Sequence, residues 1–133
     1  DRKRIEKIDG KIEINTSKRS YNKDEIIEIK VSGLNLHSVN ALSFALPYNP
    51  QDYEFVGIEA LNMKEMENLT NDRLHTNGVK SLYPTFVNVG NKEALEGNSD
   101  LFIIKFKIKR NVKFDLKVID GFLVDKNLNY ITF

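Results

Sequence analysis

The sequence contains no cysteine and no tryptophan, and only two histidines and three prolines among its 133 residues. Without cysteine there can be no disulfide framework, thiolate zinc site or cysteine nucleophile. The two histidines, His37 and His75, show neither His-x-x-His nor His-Glu-x-x-His spacing, so no metal site is expected. An excess of one charge is missing too. Lys and Arg number 20 against 19 Asp and Glu, a net charge of +1, which argues against a nucleic-acid partner held by a basic surface. The longest apolar runs, such as Leu101 to Ile104, fall far short of the roughly 20 residues a helix needs to cross a bilayer, so no membrane span is expected.

What is present is enough apolar material for a core: 41% hydrophobic residues alongside 29% charged ones. The length fits a single domain over residues 1–133, with 1–9 as a linker remnant. The start at Asp1, without Met or an apolar signal segment, reads as a module cut from a longer protein.

Period-2 alternation dominates the pattern and marks strands with one buried face. It runs through Lys11 to Asn15 and through Glu25 to Val31, which Ser32-Gly33 is expected to break. It resumes from Val39 to Tyr48 and in Glu54 to Ile58. Met63, Met66 and Leu69 recur every third residue, which allows a short helix within 60–71. Strands are expected again from Arg73 to Thr76 and from Val79 to Val89, joined by an Asn77-Gly78 turn and interrupted at Pro84. Gly90 to Asp100 reads as a polar loop, and the strongly alternating Leu101 to Lys109 follows it. Phe114 to Val118, Phe122 to Val124 and Tyr130 to Phe133 complete the set. About nine short strands with polar turns predict an all-β, antiparallel β-sandwich, with one short helix allowed.

Candidate chemistry is sparse. Glu13, Glu25 and Glu28 alternate along strands, as a solvated face requires. Ser43 and Ser81 lack a Gly-x-Ser-x-Gly setting, so no catalytic residue is assigned. Asp120, Asp125, Asn127 and Asn129 could supply oxygen ligands for calcium, but the EF-hand Gly and closing Glu do not fit, and Asx turns explain them better. Tyr21, Tyr48, Tyr53, Tyr83 and Tyr130 could stack on sugars, although burial within strands is the ordinary reading. The outward face of the Val39 to Tyr48 strand is the informative feature. Ala41, Ser43 and Ala45 stand where a solvated strand would carry Lys, Glu or Thr, and Leu82 and Pro84 are expected on the same side. Either a partner covers this patch, or the chain's own segment 60–71 does.

Several of these stretches resemble the cohesin family. Val39-Asn40-Ala41-Leu42-Ser43-Phe44-Ala45-Leu46-Pro47-Tyr48-Asn49-Pro50 is similar to its third strand and Tyr-Asp-Pro ending. Phe55-Val56-Gly57-Ile58 resembles the strand that follows, and Leu101 to Lys109 a late strand of the form Ile-x-Phe-Lys-Val-Lys. The wording also resembles cohesin-like modules of large clostridial and gut-bacterial glycoside hydrolases.

The resemblance implies a nine-stranded jelly roll that is not itself an enzyme. It implies a flat sheet face that receives a helical dockerin from another secreted enzyme, with calcium on the dockerin and no cofactor in this chain. It also implies an extracellular, secreted or cell-surface location, and a monomer when alone. Transferred residue by residue, the partner-binding positions are Ala41, Ser43, Ala45, His75, Leu82 and Pro84. Ala41 and Ser43 stand where the family typically has Asn and Asp, which implies a smaller, more apolar platform with polar groups at its rim. A carbohydrate-binding module and a passive spacer domain are the alternatives.

Overall fold

The computed structural model describes residues 10–63, 66–89 and 93–133; the expected linker remnant at 1–9 lies outside them. Twelve strands are formed, and no helix occurs among the described residues. They are β1 (Lys11–Asn15), β2 (Ser20–Tyr21), β3 (Ile26–Tyr48), β4 (Tyr53–Ala60), β5 (Glu67–Asn68) and β6 (Asn71–Leu74), then β7 (Lys80–Tyr83), β8 (Thr85–Val87), β9 (Leu95–Ile108), β10 (Val112–Lys113), β11 (Ile119–Asp125) and β12 (Tyr130–Thr132). All pairings are antiparallel, as the alternation predicts, and the layers form a β-sandwich.

Strand β3 organises both layers. Its first half pairs with β1 and β9, and its second half with β11 on one flank and β7 and β8 on the other. Ser32 and Gly33, expected to break the chain, instead continue this strand through a series of register shifts. The bend between layers falls where Asn35 and Ser38 take φ values of 55° and 50°. Asn tolerates that region, and Ser38 is held there by Glu96, whose Oε1 accepts both its backbone N–H (2.9 Å) and its hydroxyl (2.7 Å). His37 therefore lies on the strand rather than in a loop, with its side chain exposed.

Leu95–Asp100, expected as loop, is the first part of β9 and follows β3 around the same bend. Phe114 to Val118 forms no strand. The segment 60–71 departs from the helical reading where it is described. Met63 and Met66 are buried in the core, Glu67–Asn68 pairs with β8, and Leu69 is exposed; Lys64 and Glu65 lie outside the described residues.

Alternation places Ile27, Ile29, Ile104 and Phe106 of one layer against Leu42, Phe44, Leu46, Leu82 and Phe86 of the other, all buried. Rings knit the layers together, with centroids 4.8 Å apart for Phe86 and Phe102 and 4.8 Å for Tyr48 and Phe106. The Tyr48 hydroxyl leaves this core to donate into the Asp72 carboxylate, at 2.8 and 2.7 Å from its oxygens, and so ties the β6–β7 hairpin to β3. Burial and this carboxylate push the Tyr48 phenol well above its ordinary value.

Candidate docking face

The outer surface of the layer built on the second half of β3 can be read row by row from its register. Val87 of β8 and Val124 of β11 flank Ala41, and Tyr130 of β12 stands beyond Val124. Thr85 and Phe122 flank Ser43, and Thr132 stands beyond Phe122. Their chain neighbours Leu42, Phe86 and Leu123 are wholly buried, so these rows point away from the core. Phe122 is 39% exposed and Tyr130 68%. Among the described residues these two rows carry no charge until Glu67, opposite Val87 at the β5 edge.

Its central hydroxyls are already satisfied. Thr85 donates to the Tyr83 carbonyl (3.1 Å), which leaves Ser43 to donate to Thr85 Oγ1 (2.8 Å). Both hydroxyl hydrogens are thus used inside the face, and an incoming apolar group strands no donor. The opposite layer has the contrary character. Along β1, β3 and β9 its outer positions carry Lys11, Glu13, Glu28, Lys30, Lys105 and Lys107, with ion pairs Lys11–Glu13 (3.5 Å), Lys30–Asp100 (3.6 Å) and Lys105–Glu59 (2.8 Å). Such exposed pairs add little stability. Their effect is to keep that side hydrated, in contrast to the uncharged rows of the other side.

Of the residues named from sequence, Ala41 and Ser43 lie at the centre of this face. Ala45 does not take part as an open position: it is only 4% exposed, beside Ile119 of β11. Leu82 faces the core opposite Leu46. Pro84 is buried as well, and its carbonyl accepts the Phe44 N–H at 3.3 Å. The cause is register. Because Ser43 stands opposite Thr85, it is Thr85 and Val87 that face outward, and an offset of one residue exchanges the faces. His75 is half-buried at the hairpin end, its Nε2 2.9 Å from the Tyr83 hydroxyl.

Sequence reasoning missed Phe122, Val124 and Tyr130. A signal was available, since Phe122-Leu123-Val124 is apolar on both faces of one strand, as a strand covered on both sides must be. The hairpin that follows uses its acid internally. Asp125 Oδ1 accepts the N–H groups of Asn127 and Asn129, both at 2.9 Å, and Oδ2 accepts Asn129 Nδ2 at 3.3 Å. These are the Asx contacts expected from sequence, and no cluster of three metal-ligating side chains occurs among the described residues.

The structure is thus an antiparallel sandwich with one charged, hydrated outer face and one outer face whose central rows are uncharged. Comparisons with solved structures find the same architecture in known proteins. A cohesin module from a Clostridium perfringens family 33 glycoside hydrolase superposes with a TM-score of 0.70 at 14% identity, covering 95% of this chain and 90% of that one. A type II cohesin domain from the cellulosome of Acetivibrio cellulolyticus gives 0.68 at 14% identity, covering 92% and 87%. A Clostridium thermocellum type I cohesin–dockerin complex gives 0.66 at 16% identity, covering 91% of each chain. The chain has the cohesin fold, and these neighbours are cohesins rather than enzymes. No protein-family profile matches the sequence, and no curated protein matches it.

Proposed function

We propose that this domain is a non-catalytic module that docks a dockerin through the outer face formed by β5, β8, β3, β11 and β12, within an extracellular assembly of carbohydrate-active enzymes. The observation that carries this reading is the asymmetry of the two layers. One is laced with Lys–Glu pairs, and the other sets Ala41, Ser43, Thr85, Val87, Phe122 and Tyr130 side by side without a charge. Cohesin–dockerin complexes among the structural neighbours support a dockerin as the occupant. Here it would be gripped by apolar contacts, with polar groups at the rim. Calcium belongs to the partner in this reading.

The sugar-binding alternative has little to stand on. Tyr21, Tyr48 and Tyr53 are core residues, Tyr83 is half-buried, and Tyr130 alone of the five tyrosines is open. The test is capture by the immobilised domain of dockerin-bearing enzymes from bacterial culture supernatants, with calcium and again with chelator. Retention of dockerin enzymes in calcium only is the expected result. Retention of glycans, or of no dockerin in either condition, would overturn the reading.

A further inference from the structure

Asparagine is followed by glycine once in this chain, at Asn77-Gly78, and the pair forms the tip of the hairpin between β6 and β7. Gly78 takes φ 83°, a conformation that glycine adopts at no steric cost. The His75 N–H donates to the Val79 carbonyl (2.9 Å) and the Gly78 N–H to the His75 carbonyl (3.0 Å), which closes the turn. The Asn77 side chain folds back over it as an Asx turn, its Oδ1 accepting the Val79 N–H at 3.1 Å.

This fold-back holds an electrophile beside a nucleophile. Asn77 Cγ is an amide carbon, and attack on it by the Gly78 nitrogen closes a five-membered ring. Both residues are exposed, and no atom lies within 4 Å of the place a Gly78 Cβ would occupy, so the nitrogen is not crowded. Every other asparagine is followed by a residue that carries a side chain. Charge that develops on Oδ1 during the attack falls where the Val79 N–H already donates. The Gly78 to His75 bond opposes the reaction, because the nitrogen must give up that proton to attack. Two backbone donors at similar distances roughly offset one another.

We infer that Asn77 is a self-modification site at which the folded domain deamidates. The Gly78 nitrogen loses its proton to hydroxide and bonds to Asn77 Cγ. The bond from Cγ to the side-chain nitrogen breaks, and that nitrogen takes up a proton and leaves as ammonia. Water then opens the resulting succinimide at one of its two carbonyls and gives aspartate or isoaspartate at position 77. Nothing is oxidised or reduced. The product adds a negative charge to a cavity that Asn77 lines together with Asp52 and Asp115.

The experiment incubates the wild-type domain and Asn77→Gln at pH 6 and at pH 8, natively and unfolded in guanidinium, and follows them by ion exchange and peptide mass mapping. In the native wild type, residue 77 should be the first asparagine to become an acid, with isoaspartate among the products. The rate should be higher at pH 8, where more of the Gly78 nitrogen is deprotonated. It should lie within about tenfold of the unfolded rate, because the two turn hydrogen bonds nearly offset. Asn77→Gln, which would need a six-membered ring, should stay unmodified at that position over the same time. Conversion beginning at another asparagine, or at residue 77 only in guanidinium, would overturn the assignment of this turn as a reactive site. Equal rates at the two pH values would overturn the Gly78 nitrogen as the nucleophile.

Discussion

Phe122 stands directly opposite Ser43 in the antiparallel pairing of β11 with β3, so a large, partly exposed ring lies beside one of the smallest side chains of the face. This juxtaposition makes a shallow step of apolar surface with no charge in its row. Binding through it should depend little on electrostatics. Affinity for a dockerin is expected to change by less than about threefold between 50 and 500 mM salt, measured by calorimetry at fixed calcium. A fall of a hundredfold would show that charged contacts carry the interface.

Ala45 separates folding from docking. At 4% exposure it has no room for a long cation, and Ala45→Arg would bury a charge with no partner. The expected outcome is a destabilisation of roughly 3 kcal/mol, read from chemical denaturation. A fold as stable as wild type would place Ala45 on the open face after all.

Alkaline pH should destabilise the domain. Burial, and then the charge of Asp115, pushes the Tyr53 phenol up to about 12, and Tyr48 is also raised by its burial and by Asp72. A raised value in the folded state means that this contribution is fully present below the ordinary tyrosine value near 10. It is lost as the pH climbs from there through about 12. Melting midpoints should be steady from pH 7 to 9 and fall between pH 10 and 12, with a shallower fall in Tyr53→Phe.

Gly121 and Phe133 exchange both backbone hydrogen bonds, each at 2.8 Å, and a Cβ on Gly121 would overlap the Phe133 ring. That ring packs on the core and lies 6.5 Å from Phe44. Gly121→Ala is expected to cost about 1–3 kcal/mol in denaturant unfolding. It should also weaken docking, because β12 carries Tyr130. An unchanged midpoint would show that the ring moves aside freely.

Asp125 should be a structural residue and not a calcium ligand, because its oxygens already accept from Asn127 and Asn129. Asp125→Ala leaves those donors bare and is expected to cost about 1–2 kcal/mol. The isolated wild-type domain should melt at the same temperature in calcium and in chelator. A calcium-dependent midpoint would assign an ion to this chain.

Much of the fold is legible because alternation is a local signal. Phe102, Ile104, Phe106 and Ile108 announce a half-buried strand without reference to any other part of the chain. What alternation cannot convey is long-range register. The interruption at Pro84 was anticipated, and it separates β7 from β8, yet which parity faces outward is decided by the pairings of Leu46 with Leu82 and of Ser43 with Thr85, the latter 42 residues away in sequence. The run through Ser32-Gly33 was hidden for a related reason. Left-handed residues at Asn35 and Ser38 let one strand turn the corner, where local punctuation reads as an end. Ala41 and Ser43 were legible as outward positions of this face because small, neutral side chains on an outward strand face are themselves unusual, whereas Tyr130 looked like an ordinary strand residue.

The most direct measurement is a calorimetric titration of a calcium-loaded dockerin into the wild-type domain, Phe122→Glu and, on the hydrated opposite layer, Lys11→Ala. Phe122 is 39% exposed, so the acidic substitution should leave the melting midpoint within about 2 °C of wild type. It would place an unpaired charge at the centre of a dry contact and should weaken binding at least a hundredfold, about 2.7 kcal/mol. Lys11→Ala should bind as wild type does. Equal affinity of Phe122→Glu and wild type, or a loss confined to Lys11→Ala, would contradict the assignment of this face as the docking surface.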